Sequence, residues 1–257
     1  MRPIILLGEH DTPEDLKQLR ESYPIWKESD IFGNQLRELF EITHPTLVGT
    51  QDYENQCVAF IRERTAGQGN RLKGNWVYFP WSGRLVHMLG KQEYIQLRTN
   101  RNRNLITQEE QEKLLDFCVG IVGLSVGSNI ATVLSYSGIA NTIKLAEFDT
   151  LETTNLNRIR ARVDQIGMEK IEITAQQVYE INPYAELSFF SQGIDKNVLS
   201  QFVLQEPKPR LIFEIIDSFE MKIHIRSLAR EQGIPVIMVT NLGDRVLMDV
   251  ERYDIDK

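Results

Sequence analysis

Phe117-Cys118-Val119-Gly120-Ile121-Val122 runs directly into Gly123-Leu124-Ser125-Val126-Gly127-Ser128, and the reading of this stretch decides the fold. A short apolar run closed by glycine has the texture of a strand buried on both faces, as in a parallel sheet. Beyond the turn, Ile130, Val133 and Leu134 recur at helical spacing over residues 128–136, and Gly138 closes the helix. In nucleotide-binding sheets a strand, a glycine-rich turn and a helix in this order bring backbone N–H groups to a phosphate. Small residues at Gly123, Ser125 and Gly127 suit that approach, although Ser125 and Ser128 stand where a G-x-G-x-x-G turn has its second and third glycines. No G-K-[ST] follows, so the turn is not a P-loop. By itself it is compatible with nucleotide binding and with a plain tight connection.

Working outward, strands are expected at residues 142–146, 187–190, 211–216 and 235–239, separated by helices at 167–181, 196–204 and 218–232. Alternation of this kind implies right-handed crossovers and an α/β fold with a Rossmann-like, doubly wound, mostly parallel sheet. Residues 245–253 follow a turn at 241–244 and should pair with the preceding strand as a hairpin. The first hundred residues differ: a strand at 4–7, helices at 13–22, 34–42 and 53–64, a flexible loop at 65–75, and short strands at 75–80 and 84–89 around Trp81-Ser82-Gly83. The expected division is a small α+β domain over 1–97 and a nucleotide-binding domain over 98–257, a reasonable partition of 257 residues.

Composition narrows the function. With 42% apolar and 25% charged residues the chain can bury a core. Its 29 basic and 36 acidic residues give a net charge of −7, which argues against broad nucleic-acid binding. No apolar run approaches the roughly 18 residues of a membrane span, and the N-terminal run is too short for a signal peptide, so a cytoplasmic location is expected. Cys57 and Cys118 cannot form a disulfide framework or a cysteine zinc site, and both read as inert core thiols. His10, His44, His87 and His224 show no metal-ligand spacing. Residues 76–81, rich in aromatics, read as core rather than as a substrate wall.

Glu147 ends the second strand of the sheet, 24 residues past Gly123, where an acid commonly accepts hydrogen bonds from a ribose. The segment that follows carries more information: Glu147-Phe148-Asp149-Thr150-Leu151-Glu152-Thr153-Thr154-Asn155-Leu156-Asn157-Arg158. It resembles the ThiF-type adenylyltransferases, the superfamily of ubiquitin-activating enzymes and sulfur-carrier-protein activators. Their pattern is acid-x-Asp-x-apolar-x-x-[Ser/Thr]-Asn-Leu-x-Arg, with aspartate the usual first acid. Arg98-Thr99-Asn100-Arg101-Asn102 is similar to the family's Arg-Tyr-x-Arg-Gln, Gly167-Met168-Glu169-Lys170 to its Gly-x-x-Lys, and Ile215-Ile216-Asp217-Ser218 to its Cys-x-Asp-Asn. The likeness covers residues 98–250 in the family's motif order.

The resemblance implies ATP- and Mg²⁺-dependent activation of a carboxylate as an acyl adenylate. The acid would be a protein C-terminus, a peptide or a small acid. It further implies that Asn155, Arg158 and Lys170 line the triphosphate, that Glu147 takes the ribose beside Asp149, and that Asp217 holds the metal. Arg101 would reach the site from the neighbouring subunit of a homodimer. Attack of one anion on another is catalysed by positioning and charge neutralisation, which Arg101, Arg158, Lys170 and the ion at Asp217 would provide. Three departures bear on activity: the glycine turn is one residue shorter than the family's with Ser125 in place of glycine, Glu147 replaces the usual aspartate and moves the carboxylate outward by one methylene, and no cysteine follows the last strands. An active chain would therefore stop at the adenylate or pass it to an external nucleophile. Two other readings remain open: a NAD- or FAD-binding oxidoreductase module, which leaves Asn155, Arg158 and Lys170 without a role, and a non-catalytic nucleotide-binding scaffold. Arg101 also reads as a solvated charge, Lys170 as a surface lysine and Asp217 as a helix N-cap.

Overall fold

The structure, a computed structural model, describes residues 2–66 and 70–255. It divides into two compact units, Met1–Thr107 and Gln108–Lys257, where the sequence alone suggested a division at 97/98. The intervening residues continue a helix of the first unit: Lys91–Thr99 runs on into a 3-10 turn over Asn100–Asn104.

In the first unit, β1 (Ile4–Leu6), β2 (Lys27–Asp30), β3 (Asn75–Phe79) and β4 (Arg84–Met88) form a sheet in the order β1-β3-β4-β2. Helices α1 (Pro13–Ser22), α2 (Phe32–Thr43), α3 (Tyr53–Thr65) and α4 (Lys91–Thr99) accompany it. Thr12 and Asp15 form a capping box on α1, with Pro13 at the first helical position. Trp76, Val77, Tyr78 and Phe79 are buried, and Trp76, Tyr78 and Leu85 pack against Leu16 and Leu19, so the aromatic run is core. Sequence patterning missed β2: Lys27-Glu28-Ser29-Asp30 has no apolar alternation, and it is held as an edge strand by parallel pairing to β4. Of the loop expected over 65–75, residues 67–69 lie outside the described residues.

The second unit is a six-stranded sheet: β5 (Cys118–Val122), β6 (Thr142–Ala146), β7 (Glu186–Phe190), β8 (Leu211–Glu214), β9 (Val236–Leu242) and β10 (Arg245–Glu251). The spatial order is β10-β9-β8-β5-β6-β7, all pairs parallel except β9–β10. Helices α5 (Gln108–Leu115), α6 (Leu124–Ser137), α7 (Lys170–Ile181), α8 (Lys196–Leu204) and α9 (Phe219–Glu231) complete it. This is the doubly wound, Rossmann-like sheet the sequence implied. Helix α6 begins four residues earlier than its periodicity suggests, because the shortened turn feeds straight from Gly123 into helical backbone. Among the described residues no helix is long and apolar enough to cross a membrane.

Candidate functional site

A cavity of about 440 Å³ opens beyond the carboxyl ends of β5, β6 and β8. Here β5 sends its chain to β6 on one side while β8 lies on the other, the topological switch point at which open α/β sheets bind ligands. Gly123, Ser125 and Val126 form one wall, Glu147 to Asp149 a second, and Ile215 to Ser218 a third.

Gly123 has φ +90°, and a Cβ there would lie 2.2 Å from the Ile215 carbonyl oxygen, so the turn closes against the end of β8 only with glycine. At Gly127 a Cβ would meet Ile121 Cγ2 at 2.7 Å, which sets the close packing of α6 on β5. Ser125 sits within the first turn of α6 and lines the cavity. The N-terminal turn of the helix thus lines the cavity at Ser125 and Val126, without the second glycine, and its positive end lies at the cavity.

Glu147 lies behind this turn and is buried at 7% exposure. Its Oε2 accepts the Leu124 amide at 2.8 Å, and its Oε1 accepts the amides of Phe148 at 2.9 Å and Asp149 at 3.1 Å. The side chain expected at a ribose therefore braces the end of β6 to the start of α6. The glutamate's additional methylene gives it the reach to Leu124.

Leu151 and Ile159 are buried with Ile173, anchoring both ends of the next segment. Between them Asn155 is buried, and its Oδ1 accepts the Glu152 amide at 3.0 Å while its carbonyl accepts those of Arg158 and Ile159. Asn155 does not line the cavity; it shapes the turn that presents Arg158, which does. Arg158 is exposed, its guanidinium touching only the Thr154 carbonyl and Asn157 Oδ1, and among the described residues no carboxylate is paired with it. Lys170 opens α7 but is not solvated: it is 5% exposed, with Nζ 2.8 Å from Asp149 Oδ2 and its amide on the Asp149 carbonyl. It stands behind Asp149 rather than in the cavity wall. Asp217 is exposed and lines the cavity, and the N-cap of α9 is its neighbour Ser218, whose Oγ accepts the Met221 amide.

A model of the ThiF family matches residues 99–244. The chain belongs to the ThiF family. It is 39% identical over 181 residues to the uncharacterized protein MT1398 of Mycobacterium tuberculosis (strain CDC 1551 / Oshkosh), a match covering 70% of this chain and 25% of that protein. It is 29% identical over 136 residues to ubiquitin-like modifier-activating enzyme 5 of Oryza sativa subsp. japonica, covering 49% of this chain and 32% of that one. Among solved structures, the E. coli tRNA N6-threonylcarbamoyladenosine dehydratase TcdA in complex with ATP superposes with a TM-score of 0.56 at 24% identity, over 61% of this chain and 64% of that one. The chain thus spans a quarter to a third of the length of these two sequence relatives.

Of the ThiF-motif residues, Gly123, Ser125, Glu147, Asp149, Arg158 and Asp217 come together at one cavity. Gly127, Asn155 and Lys170 support it from behind. Arg101 lies exposed on the 3-10 turn of the first unit, while Arg98 is half-buried, its guanidinium 6.0 Å from the Tyr94 ring centroid, and burial lowers its pKa. Cys118 and Cys57 are buried and free; burial pushes the Cys118 thiol up to about 11, far from a nucleophile's range.

One feature of this ThiF domain escaped the sequence reading. Glu214, at the end of β8, is fully buried and paired with Lys222 at 2.8 Å, with Arg226 at 3.5 Å, and with the Ile216 amide at 3.3 Å. This network fixes the loop that carries Asp217. Its signal was present: an acid closing an otherwise apolar strand requires a buried partner, and Lys222 and Arg226 follow on one helical face.

Proposed function

We propose that this chain binds ATP with Mg²⁺ at the switch-point cavity and adenylates a carboxylate. The observation that carries the reading is the convergence of the α6 N-terminus, the guanidinium of Arg158, paired with no carboxylate among the described residues, and the carboxylate of Asp217 on one cavity. A carboxylate oxygen attacks the α-phosphorus, the bond to the bridging oxygen breaks, and pyrophosphate leaves with the electron pair. The helix N-terminus and Arg158 offset the charge on the phosphates, the arginine gripping two oxygens at once. Lys170 neutralises the Asp149 carboxylate at the cavity wall, which removes a negative charge from beside the phosphates, and the brace from Glu147 keeps the helix terminus aimed.

Among the described residues no three metal-ligating side chains cluster. That suits Mg²⁺, which commonly takes one or two carboxylates plus phosphates and water. Asp217 would hold it, and the ion would neutralise the leaving pyrophosphate. The acid belongs to the class of protein C-termini, peptides and small carboxylates; the rice relative's name, a ubiquitin-like modifier-activating enzyme, favours a protein terminus. The working form is a homodimer in which Arg101 is supplied by the other copy.

Isothermal titration with ATP–Mg²⁺, AMP and NAD in parallel tests the reading. ATP–Mg²⁺ should bind tightest. Preference for NAD would replace adenylation with an oxidoreductase module, and no binding by any nucleotide would leave a scaffold.

A further inference from the structure

The switch-point cavity has two ends of different chemistry. Beyond β5 and β6 its walls are the α6 terminus, Glu147 to Asp149 and Arg158, the groups that the proposed function gives to the nucleotide. The other end continues past β8 to β9. Strand β8 stops at Glu214, beside Met238, whereas β9 runs on to Leu242. Val239, Thr240 and Asn241 therefore stand beyond the end of β8 and close the cavity on that side.

Apolar side chains dominate the depth of this end. Ile216 and Met221 are half-buried, packed on the cluster that contains Val122, Ile212 and Val236, and both line the cavity, as does half-buried Val239. A Cβ at Gly123 would meet Ile216 Cγ2 at 3.1 Å, so the Ile216 side chain lies against the glycine turn, where the two ends of the cavity join. The Ser218 hydroxyl is already committed to capping α9. Asp217 is the one charged residue of this end among the described residues.

We propose that this end is the acyl subsite, and that it selects an acid carrying a neutral, apolar side chain next to its carboxylate. With the nucleotide on the α6 terminus, the attacking carboxylate comes to the glycine turn, and the carbon beside it falls against Ile216 and Met221. An apolar group there displaces water from surfaces that gain nothing from it. The flexible thioether of Met221 lets the wall close on groups of differing shape. A carboxylate side chain would face Asp217, and a cationic one would take Asp217 from the metal. At the rim, Thr240 and Asn241 supply a hydroxyl and an amide that can donate and accept at once, which suits the peptide group preceding a terminal residue. Ile216, Met221 and Val239 are thus the specificity-determining residues of the adenylation reaction.

The inference rests on the adenylation reading, and calorimetric titration separates the two. The probes are 5′-O-sulfamoyladenosines carrying N-acetylleucine, N-acetylglycine or N-acetylglutamate, stable analogues of acyl adenylates, with ATP–Mg²⁺ titrated in parallel into the full chain. The leucine analogue should bind about ten- to a hundredfold tighter than the glycine analogue, the worth of burying one aliphatic side chain. The glutamate analogue should bind no tighter than the glycine one. Met221→Glu and Val239→Glu should each erase the leucine preference, and thermal melts confirm that each variant is folded. If ATP–Mg²⁺ binds and wild type shows equal affinity for the leucine and glycine analogues, or prefers glutamate, the subsite alone is overturned. A leucine preference that survives both substitutions overturns the assignment to these residues. If neither ATP–Mg²⁺ nor any analogue binds, the adenylation reading falls and the subsite with it.

Discussion

Replacing Glu147 by glutamine isolates what its carboxylate does. The wild-type group accepts three backbone amides at 2.8, 2.9 and 3.1 Å from a site 7% exposed. Glutamine keeps one acceptor oxygen. Placed on the Phe148 and Asp149 amides, it turns its NH₂ toward the Leu124 amide, donor against donor. One charge-assisted bond is lost and one buried N–H is left unmet, a cost of about 2–3 kcal/mol. For a unit of this size that corresponds to a fall of about 4–12 °C in melting temperature. The loss should appear in urea or thermal unfolding followed by circular dichroism, without any nucleotide present. Because the brace orients the α6 terminus, ATP and AMP affinity should fall together. The reasoning fails if Glu147→Gln unfolds within about 0.5 kcal/mol of wild type, the range of an inconsequential surface change, while nucleotide affinity drops. The carboxylate would then serve the ribose directly and the backbone contacts would be incidental.

Other expectations follow from the same geometry. Arg158→Ala should weaken ATP binding by about ten- to a hundredfold and AMP binding much less, measured by titration calorimetry; equal losses would place Arg158 elsewhere than at the outer phosphates. Since Ser218 caps α9, Asp217→Asn should leave the melting temperature unchanged and remove the Mg²⁺ dependence of ATP binding. Gly123→Ala should cost about 3 kcal/mol or more in urea unfolding, from its backbone conformation plus the collision with Ile215, and a smaller loss would mean the turn relaxes freely. For Cys118 the sign runs against alkaline stability. An unfolded thiol ionises near 9 and the buried one only near 11, so stability present below pH 9 is lost as pH rises from 9 to 11. Cys118→Ala should flatten that decline, and identical pH profiles would refute the assignment.

Local physics along the chain determines much of this protein. The short runs at 118–122 and 142–146, each bounded by turn residues, read as strands, and their alternation with helices points to right-handed crossovers and a mostly parallel sheet. The order of the motif residues from Arg98 to Asp217 was enough to suggest the ThiF family. Roles within the site were a different matter, because they depend on which polar group lies nearest in space. Glu147 reads as a ribose acceptor from its place at the strand end, and only the folded turn shows that it also holds the Leu124 amide at 2.8 Å. The family resemblance implies a triphosphate role for Asn155 and Lys170, and only packing shows that they also hold Glu152 and Asp149. Glu214 stays hidden in an apolar strand until α9 lays Lys222 and Arg226 against it. Strand β2 has no apolar pattern at all and exists because β4 offers its open edge. Burial periodicity is written along the chain, whereas hydrogen-bond pairing between distant residues is fixed only when the sheet closes.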